Sequence, residues 1–178
     1  MVVGNVLSGG GGSHIVRAAL LVALAALLET TLSPLLTFGW IGPRILVIGV
    51  VAAVMGLRDL QALLLGFFGG VLTDALGGGH FGMAALGGVL AAAISIRIGT
   101  TRRKGETGVF LARAVAVAVV AYDLLSLIAP VLAGQEGPPV VNYLLGGVVP
   151  DVLLNAVLAY FVGDRLLRLI TTKEERWI

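Results

Sequence analysis

Long apolar stretches, separated by short polar or glycine-rich breaks, occupy most of the chain. Four of them cover residues 15–36, 60–76, 83–98 and 109–132. Because a transmembrane helix needs about 20 mainly apolar residues, stretches of this length predict membrane spans. A transmembrane barrel would instead require alternating apolar and polar positions, which this pattern lacks.

A shorter apolar stretch, residues 45–57, lies between Arg44 and Arg58. At 1.5 Å per residue it provides about 20 Å of helix, less than the roughly 30 Å hydrocarbon core. It can still cross if both arginines extend their charged ends to opposite interfaces. The sequence therefore predicts a short second span flanked by snorkelling arginines.

The last predicted span begins at Pro150-Asp151 and ends near Leu169. A proline in the first turn, with an acidic residue beside it, favours a helix start. The preceding loop, residues 133–139, is rich in glycine and proline, and residues 140–149 are left open between loop and helix. This gives six predicted spans.

Composition supports a membrane environment. Hydrophobic residues make up 58% of the 178 residues and charged residues 12%, against about 25% charged in soluble domains, and the mean hydropathy is +1.03. There is no cysteine, which excludes disulfides and thiolate metal sites. The predicted fold class is an all-α integral membrane protein, a six-helix bundle.

The predicted domain organisation has three parts. Residues 1–13 are predicted to be a flexible glycine-rich tail, and the alternative is that part of them is an engineered linker, because residues 9–13 match a common linker sequence. Residues 14–170 form the six-span domain, and residues 171–178 form a charged cytoplasmic tail.

The distribution of basic residues predicts the orientation. With six spans, one side of the membrane carries eleven of them and the other side carries Arg44 alone. Basic residues concentrate on the cytoplasmic side of membrane proteins, so both termini are predicted to be cytoplasmic. The eleven are Arg17, Arg58, Arg97, Arg102, Arg103, Lys104, Arg113, Arg165, Arg168, Lys173 and Arg176.

This topology places the acidic residues of the spans in the outer half of the membrane. The predicted outer polar cluster consists of Glu29, Arg44, Asp74, His80, Asp123 and Asp151. Ionisable groups at such depth usually face a bundle interior or a wet cavity. The functional interpretation is an outward-facing pocket or a charge-paired docking point for a partner. The alternative is a set of helix-end charges in the headgroup zone, with one structural pair to Arg44.

Asp74 is the residue of this cluster that most needs a partner. It ends the third predicted span just before three glycines, and an aspartate at a helix C-terminus opposes the macrodipole. Cap stabilisation therefore does not explain it, and burial without a partner is costly. We expect Asp74 to pair with Arg44 or with backbone amides of the glycine turn, and so to fix an outer loop that partners recognise.

Gly66 and Gly70 lie one turn apart on the third span. Small residues at this spacing allow helices to approach closely, so the pair predicts a helix-packing face. The helix that packs there is either another helix of this chain or a helix of a partner.

Motifs for catalysis are missing from the sequence. It has no phosphate-binding loop with its lysine, no paired-histidine helix motif and no nucleophile elbow. His14 and His80 are predicted to lie on opposite sides of the membrane, so they cannot share a metal. The basic triplet at residues 102–104 is interpreted as a topology-setting loop. We expect a non-enzymatic protein without cofactor or nucleic-acid partner.

Three stretches carry a resemblance to a known family. They are LLETTLSPLL at residues 27–36, GFFGGVLTDALGGGHFGMAAL at residues 66–86, and LLNA at residues 153–156 in a helix ending RLLR. Together they resemble the MreD family, the small membrane subunit of the bacterial rod-shape complex. Two positions differ from the family pattern: Arg44 follows Pro43 where an aspartate is usual, and His80 stands where a proline is usual.

The resemblance implies a function and a set of partners. MreD proteins are non-enzymatic inner-membrane scaffolds that bind MreC by helix packing in the bilayer. They act with MreB and with the RodA polymerase and its transpeptidase, in lateral peptidoglycan synthesis and rod shape. In this chain, Asp74 matches the aspartate of the family's central block.

The resemblance also supplies an alternative from another class. The MreD fold is thought to be similar to the substrate-binding subunits of energy-coupling-factor vitamin transporters. A transport subunit of that kind would need an outer pocket with aromatic lining, for which the candidates are Phe38, Trp40, His80, Phe81 and Tyr143. Neighbouring genes for MreC and an actin-like protein would favour the scaffold, and genes for an ATPase and a coupling subunit would favour the transporter.

Overall fold

The computed structural model describes residues 11–55, 57–77, 82–99, 107–132 and 134–170. Within these residues the regular elements are helices, and the remaining pairing is one antiparallel bridge between Phe38 and Ile41. The elements are α1 (Gly11–Thr31), α2 (Ser33–Leu36), α3 (Ile45–Ala53), α4 (Asp59–Gly77), α5 (Met83–Gly99), α6 (Thr107–Leu132), α7 (Val140–Tyr143), a π-helical segment (Leu144–Val148) and α8 (Val149–Ile170).

Within the part of the chain that the structure describes, four helical stretches are long and apolar enough to cross a membrane. They are His14–Thr31, Asp59–Gly77, Thr107–Leu132 and Val140–Gly163. This makes the chain an all-α, multi-pass membrane protein, as the sequence predicts. The helix α5 is a shorter apolar helix of 17 residues. Several predicted features lie outside the described residues, namely the tails at 1–10 and 171–178, His80, Phe81 and the basic loop at 102–104.

The side chains are distributed as in a membrane protein. Small residues such as Ala18, Ala26 and Ala114 are fully buried between helices. Large apolar residues such as Leu20 and Phe161 point outward. Lipid is as apolar as leucine, so helices in a bilayer associate through close packing of small residues rather than by burying large ones.

The helix α3 lies at the centre of this packing. Residues Leu46 to Ala53 are all buried, and α3 contacts α1, α4, α5, α6 and α8. It has nine residues, about 13.5 Å of helix, and a turn from Val54 to Leu57 ends it. The predicted helix exists, but it ends before residue 57 and is a core helix enclosed by the others.

The first and last predicted spans differ from the structure in their extent. The first predicted span, residues 15–36, is divided at Leu32 into α1 and the short α2, and α1 begins already at Gly11. The last span was predicted to begin at Pro150, and α8 begins at Val149; α7 and the π-helical segment, over residues that the sequence left open, extend the helical stretch back to Val140. Proline lacks an N–H and crowds the carbonyl four residues before it, and the π-helical segment just before Pro150 accommodates both effects.

The closest helix packing joins α4 to α5. A side-chain carbon added at Gly66 would collide with the carbonyl of Gly88, and one at Gly70 would collide with the carbonyl of Ala84. These contacts place both glycines against a helix of the same chain. This close approach brings the end of α4, which contains Asp74, beside the start of α5.

Candidate functional site: the Arg44 cluster

Residues 42–44, which lead into α3, are held by two polar residues of α8. The carboxylate of Asp151 accepts a hydrogen bond from the Gly42 amide at 2.7 Å. The side chain of Asn155 accepts one from the Arg44 amide at 2.6 Å and donates to the Gly42 carbonyl at 3.0 Å. Both α8 side chains are fully buried. Because these bonds join residues more than 100 positions apart, they fix the path of the chain into the bundle.

The Arg44 side chain bridges two carboxylates. Its Nε donates to Asp151 Oδ2 and its Nη2 donates to Asp123 Oδ1, both at 3.0 Å. Its guanidinium carbon lies 4.9 Å from the centre of the Tyr122 ring, within the range of a cation–π contact. Two buried carboxylates, Asp123 on α6 and Asp151 on α8, thus bind the guanidinium of Arg44, which agrees with the predicted structural pair to Arg44.

Glu29 completes this region from α1. Its Oε2 accepts the backbone N–H of Leu46 at 3.1 Å. Leu46 is in the first turn of α3, where N–H groups lack helical partners and the helix dipole is positive. The carboxylate of one helix therefore caps another. We call Glu29, Arg44, Asp123, Asp151 and Asn155 the Arg44 cluster.

The charges of the Arg44 cluster do not balance. It has three carboxyl groups and one guanidinium. The guanidinium of Arg44 stays charged, because arginine does not lose its proton in proteins, and it pairs with Asp123 and Asp151.

One oxygen of the cluster has no hydrogen-bond partner. Oδ2 of Asp123 is buried and unpaired among the described residues, and Asp123 as a whole is 1% exposed. A buried polar atom without a partner is costly and needs an explanation. Asp123 is therefore the member of the cluster that is least well satisfied.

Asp74 is at the same end of the bundle but belongs to a separate arrangement. Its Oδ2 accepts the amides of Gly82 and Ala85, and its Oδ1 accepts the amide of Ala84, at 2.9–3.0 Å. These amides are at the N-terminus of α5, so Asp74 caps the following helix. Of the two predicted partners, backbone amides bind Asp74 and Arg44 does not. The prediction that capping does not explain Asp74 is therefore wrong. Asp74 opposes the dipole of its own helix, α4, but it caps the next helix, α5.

A cavity of about 270 Å³ lies beside Asp74. Four polar side chains contribute to its lining: Thr73 and Asp74 from α4, and Tyr122 and Ser126 from α6. Tyr122 lines this cavity, and its ring also contacts the guanidinium of Arg44. The cavity and the Arg44 cluster are thus adjacent but distinct.

The structure brings the predicted acidic residues to one end of the bundle, with Glu29, Asp123 and Asp151 around Arg44 and Asp74 nearby. Sequence reasoning assigned no role to Asn155 or Tyr122. Asn155 follows Asp151 by four residues, which puts both on one helix face, and that spacing was the available signal. No comparable signal pointed to Tyr122.

No family model matches this chain, and no match was found among curated proteins or solved structures.

Proposed function

We propose that this chain is a six-span, MreD-like scaffold of the bacterial inner membrane that binds an MreC-type protein. In this proposal α3 and α5 cross the membrane together with the four longer helical stretches. Both termini are cytoplasmic, and the Arg44 cluster lies in the outer half. The partners are those of the rod complex: MreC, with MreB, RodA and its transpeptidase.

The observation that carries the proposal is the set of three amide bonds to Asp74. Asp74 lies in residues 66–86, the block in which the resemblance to MreD is strongest. Its bonds join α4 to the start of α5, and Gly66 and Gly70 pack the same two helices together. A rigid pair of helices of this kind suits a protein that acts by presenting a fixed surface to partners.

The Arg44 cluster supports a scaffold role in a second way. It fixes residues 42–44 and therefore the preceding turn, where Phe38 is 80% exposed. Amide bonds in both directions between Phe38 and Ile41 close that turn. An exposed aromatic residue on a rigid turn is a candidate contact for a partner at the membrane surface.

Co-purification tests the proposal. The tagged full-length chain is expressed with the MreC homologue of its source organism, and separately with that organism's energy-coupling ATPase and coupling subunit. We expect stable recovery of MreC and no recovery of the transporter subunits. Recovery of the transporter subunits without MreC, at equal membrane levels, would overturn the scaffold in favour of the transporter.

A small-molecule-binding transport subunit is the second candidate. The cavity beside Asp74 favours it, because a substrate-binding subunit requires a mostly apolar pocket with a few polar side chains. The aromatic candidates for its lining fit less well. Trp40 and Tyr143 contact each other edge to face, with ring centres 5.5 Å apart, and neither lines the cavity.

A further inference from the structure

Two hydroxyl side chains that line the cavity beside Asp74 offer hydrogen-bond acceptors rather than donors. The hydroxyl of Thr73 donates to the Gly69 carbonyl and that of Ser126 donates to the Tyr122 carbonyl, both at 3.1 Å. A hydroxyl has one hydrogen to donate and two lone pairs. With both hydrogens bound within their own helices, these two side chains offer only acceptors to anything in the cavity.

Pro130 adds another acceptor. It lies inside α6 and lines the cavity. Proline has no N–H, so the carbonyl four residues earlier, that of Ser126, lacks its usual helical donor. Ser126 therefore contributes two oxygens that can accept, one from the side chain and one from the backbone.

Asp74 supplies the negative charge. It is 9% exposed, and three amides occupy three of the roughly four lone-pair sites of a carboxylate. One site remains. The N-terminus of α5 contributes about half a positive charge, which is less than the full negative charge of the Asp74 carboxylate.

The size and the remaining walls limit the ligand. A volume of 270 Å³ is several times the roughly 30 Å³ share of one water molecule, and so exceeds what a bare inorganic ion needs. Met83, Ala84, Ala129 and Pro130 provide apolar walls. A fitting ligand has a donor-bearing positive group with a few carbon atoms attached.

We infer that this cavity binds a primary ammonium group, carried by a small organic amine or by an amine-bearing lipid headgroup. Its three N–H donors match the acceptors of Thr73, Asp74 and Ser126, and its charge matches the carboxylate. The inference goes beyond the scaffold role and does not depend on it. MreC recovery tests the scaffold separately.

The ligand class is tested on the purified full-length chain in detergent. Its thermal unfolding temperature is measured with ethanolamine, choline or sodium chloride at equal concentration and pH. Choline carries the same charge but has no N–H donor. A parallel measurement uses native mass spectrometry to compare retained phosphatidylethanolamine with retained phosphatidylcholine.

We expect ethanolamine or phosphatidylethanolamine to bind at least about tenfold more tightly than the choline counterpart, because hydrogen bonds to a charged group are worth roughly that much. An effect of free ethanolamine identifies a soluble amine, and an effect of the lipid alone identifies a headgroup. Equal binding of amine and choline forms, an effect of sodium alone, or no effect of any probe would overturn the inference.

Matched variants locate the site. Thr73→Val and Ser126→Ala remove acceptors, and together they should weaken amine binding about tenfold or more. Thr31→Val and Ser95→Ala are the controls, because these hydroxyls make the same kind of bond within a helix, to Leu27 and Ala91, and do not line the cavity. If the control pair weakens binding as much as the cavity pair, the assignment to this cavity is wrong.

Discussion

The Arg44 cluster and the hydrogen bonds of Asp74 both fix the start of a helix, but they do so through different interactions. In both, carboxylates hold the chain where it enters a helix. Asp74 acts locally, binding amides 8 to 11 residues further on. The Arg44 cluster joins residues up to 113 positions apart and relies on ion pairs. The oxygens of Asp74 accept three hydrogen bonds, whereas Oδ2 of Asp123 in the Arg44 cluster has no partner among the residues that the structure describes.

This difference indicates a division of roles. A cap formed by neighbouring helices stabilises a helical hairpin whatever the rest of the bundle does. A buried ion-pair network works only when α1, α3, α6 and α8 are all in place, because each supplies or positions a member. We therefore expect changes in the Arg44 cluster to lower the stability of the whole bundle. Changes at Asp74 should lower mainly the stability of the hairpin formed by α4 and α5.

Removing Arg44 should have the largest effect. Arg44→Met leaves Asp123 and Asp151 buried without their cation, and breaking a buried pair in this way costs about 3–5 kcal/mol. The measured quantity is the free energy of unfolding of the purified protein in detergent. Arg58→Met is the control, because Arg58 is exposed and its change should cost little.

A triple variant makes the same test sharper. Arg44→Met combined with Asp123→Asn and Asp151→Asn removes the stranded charges. It should be more stable than Arg44→Met alone, because the penalty comes from unpaired buried charge. If the triple variant is less stable than the single one, the ion pairs are not what makes Arg44 important.

Removing the Asp74 carboxylate should have a smaller effect. Asp74→Ala leaves three amides of the α5 N-terminus without their acceptor, at an expected cost of about 2–3 kcal/mol. Asp74→Asn retains one acceptor oxygen and should cost less. Asp59→Ala is the control, since Asp59 is exposed in the first turn of α4. A similar loss for Asp59→Ala and Asp74→Ala would contradict the capping role.

Glycine substitutions test the hairpin independently of charge. Gly70→Ala places a carbon against the Ala84 carbonyl, and overpacking of this kind costs about 1–3 kcal/mol. Gly146→Ala is the control, because no atom lies within 4 Å of the added carbon. Equal stability of the two variants would mean that α4 and α5 do not pack as closely as described.

The smallest expected change in stability is that of Asp123→Asn, within the Arg44 cluster itself. Asp123→Asn keeps the oxygen that Arg44 binds and removes charge from a carboxylate with an unpaired oxygen, so we expect a change within about 1 kcal/mol. Asp151→Asn should cost more, because both Asp151 oxygens accept hydrogen bonds and an amide nitrogen would face a donor. The free energies of unfolding of the two variants are measured side by side. A larger loss for Asp123→Asn than for Asp151→Asn would refute this prediction.

Much of the fold could be predicted from the sequence, because hydrophobic length and glycine-rich breaks determine where apolar helices occur. The burial of α3 could not, since lipid-facing and core helices are equally apolar in a membrane protein. The sequence left residues 140–149 open, because only a π-helical segment allows Pro150 to lie inside a continuous helical stretch.

For the candidate site, the sequence predicted which acidic residues gather at one end and offered Arg44 and backbone amides as partners, but it did not decide which acid binds which. Backbone amides satisfy Asp74 and Glu29, and an amide carries no residue-specific signal. The contacts of Asn155 reach 111 to 113 positions along the chain, a distance at which one sequence without relatives gives no pairing information.

The central claim is that six spans place the Arg44 cluster at the outer end of the bundle. If only the four longer helical stretches crossed the membrane, Phe38 and Arg58 would lie on the same side, because α3 would not separate them. With six spans they lie on opposite sides. Both residues are exposed, and the chain has no cysteine of its own, so single-cysteine labelling can distinguish the two arrangements.

The most direct measurement is labelling of Phe38→Cys and Arg58→Cys in intact cells with a membrane-impermeant maleimide. Each variant is labelled again after permeabilisation, which shows that its thiol is reactive. We predict that position 38 is labelled in intact cells and that position 58 is labelled only after permeabilisation. Labelling of both positions in intact cells would contradict the six-span arrangement and the outer location of the Arg44 cluster within it.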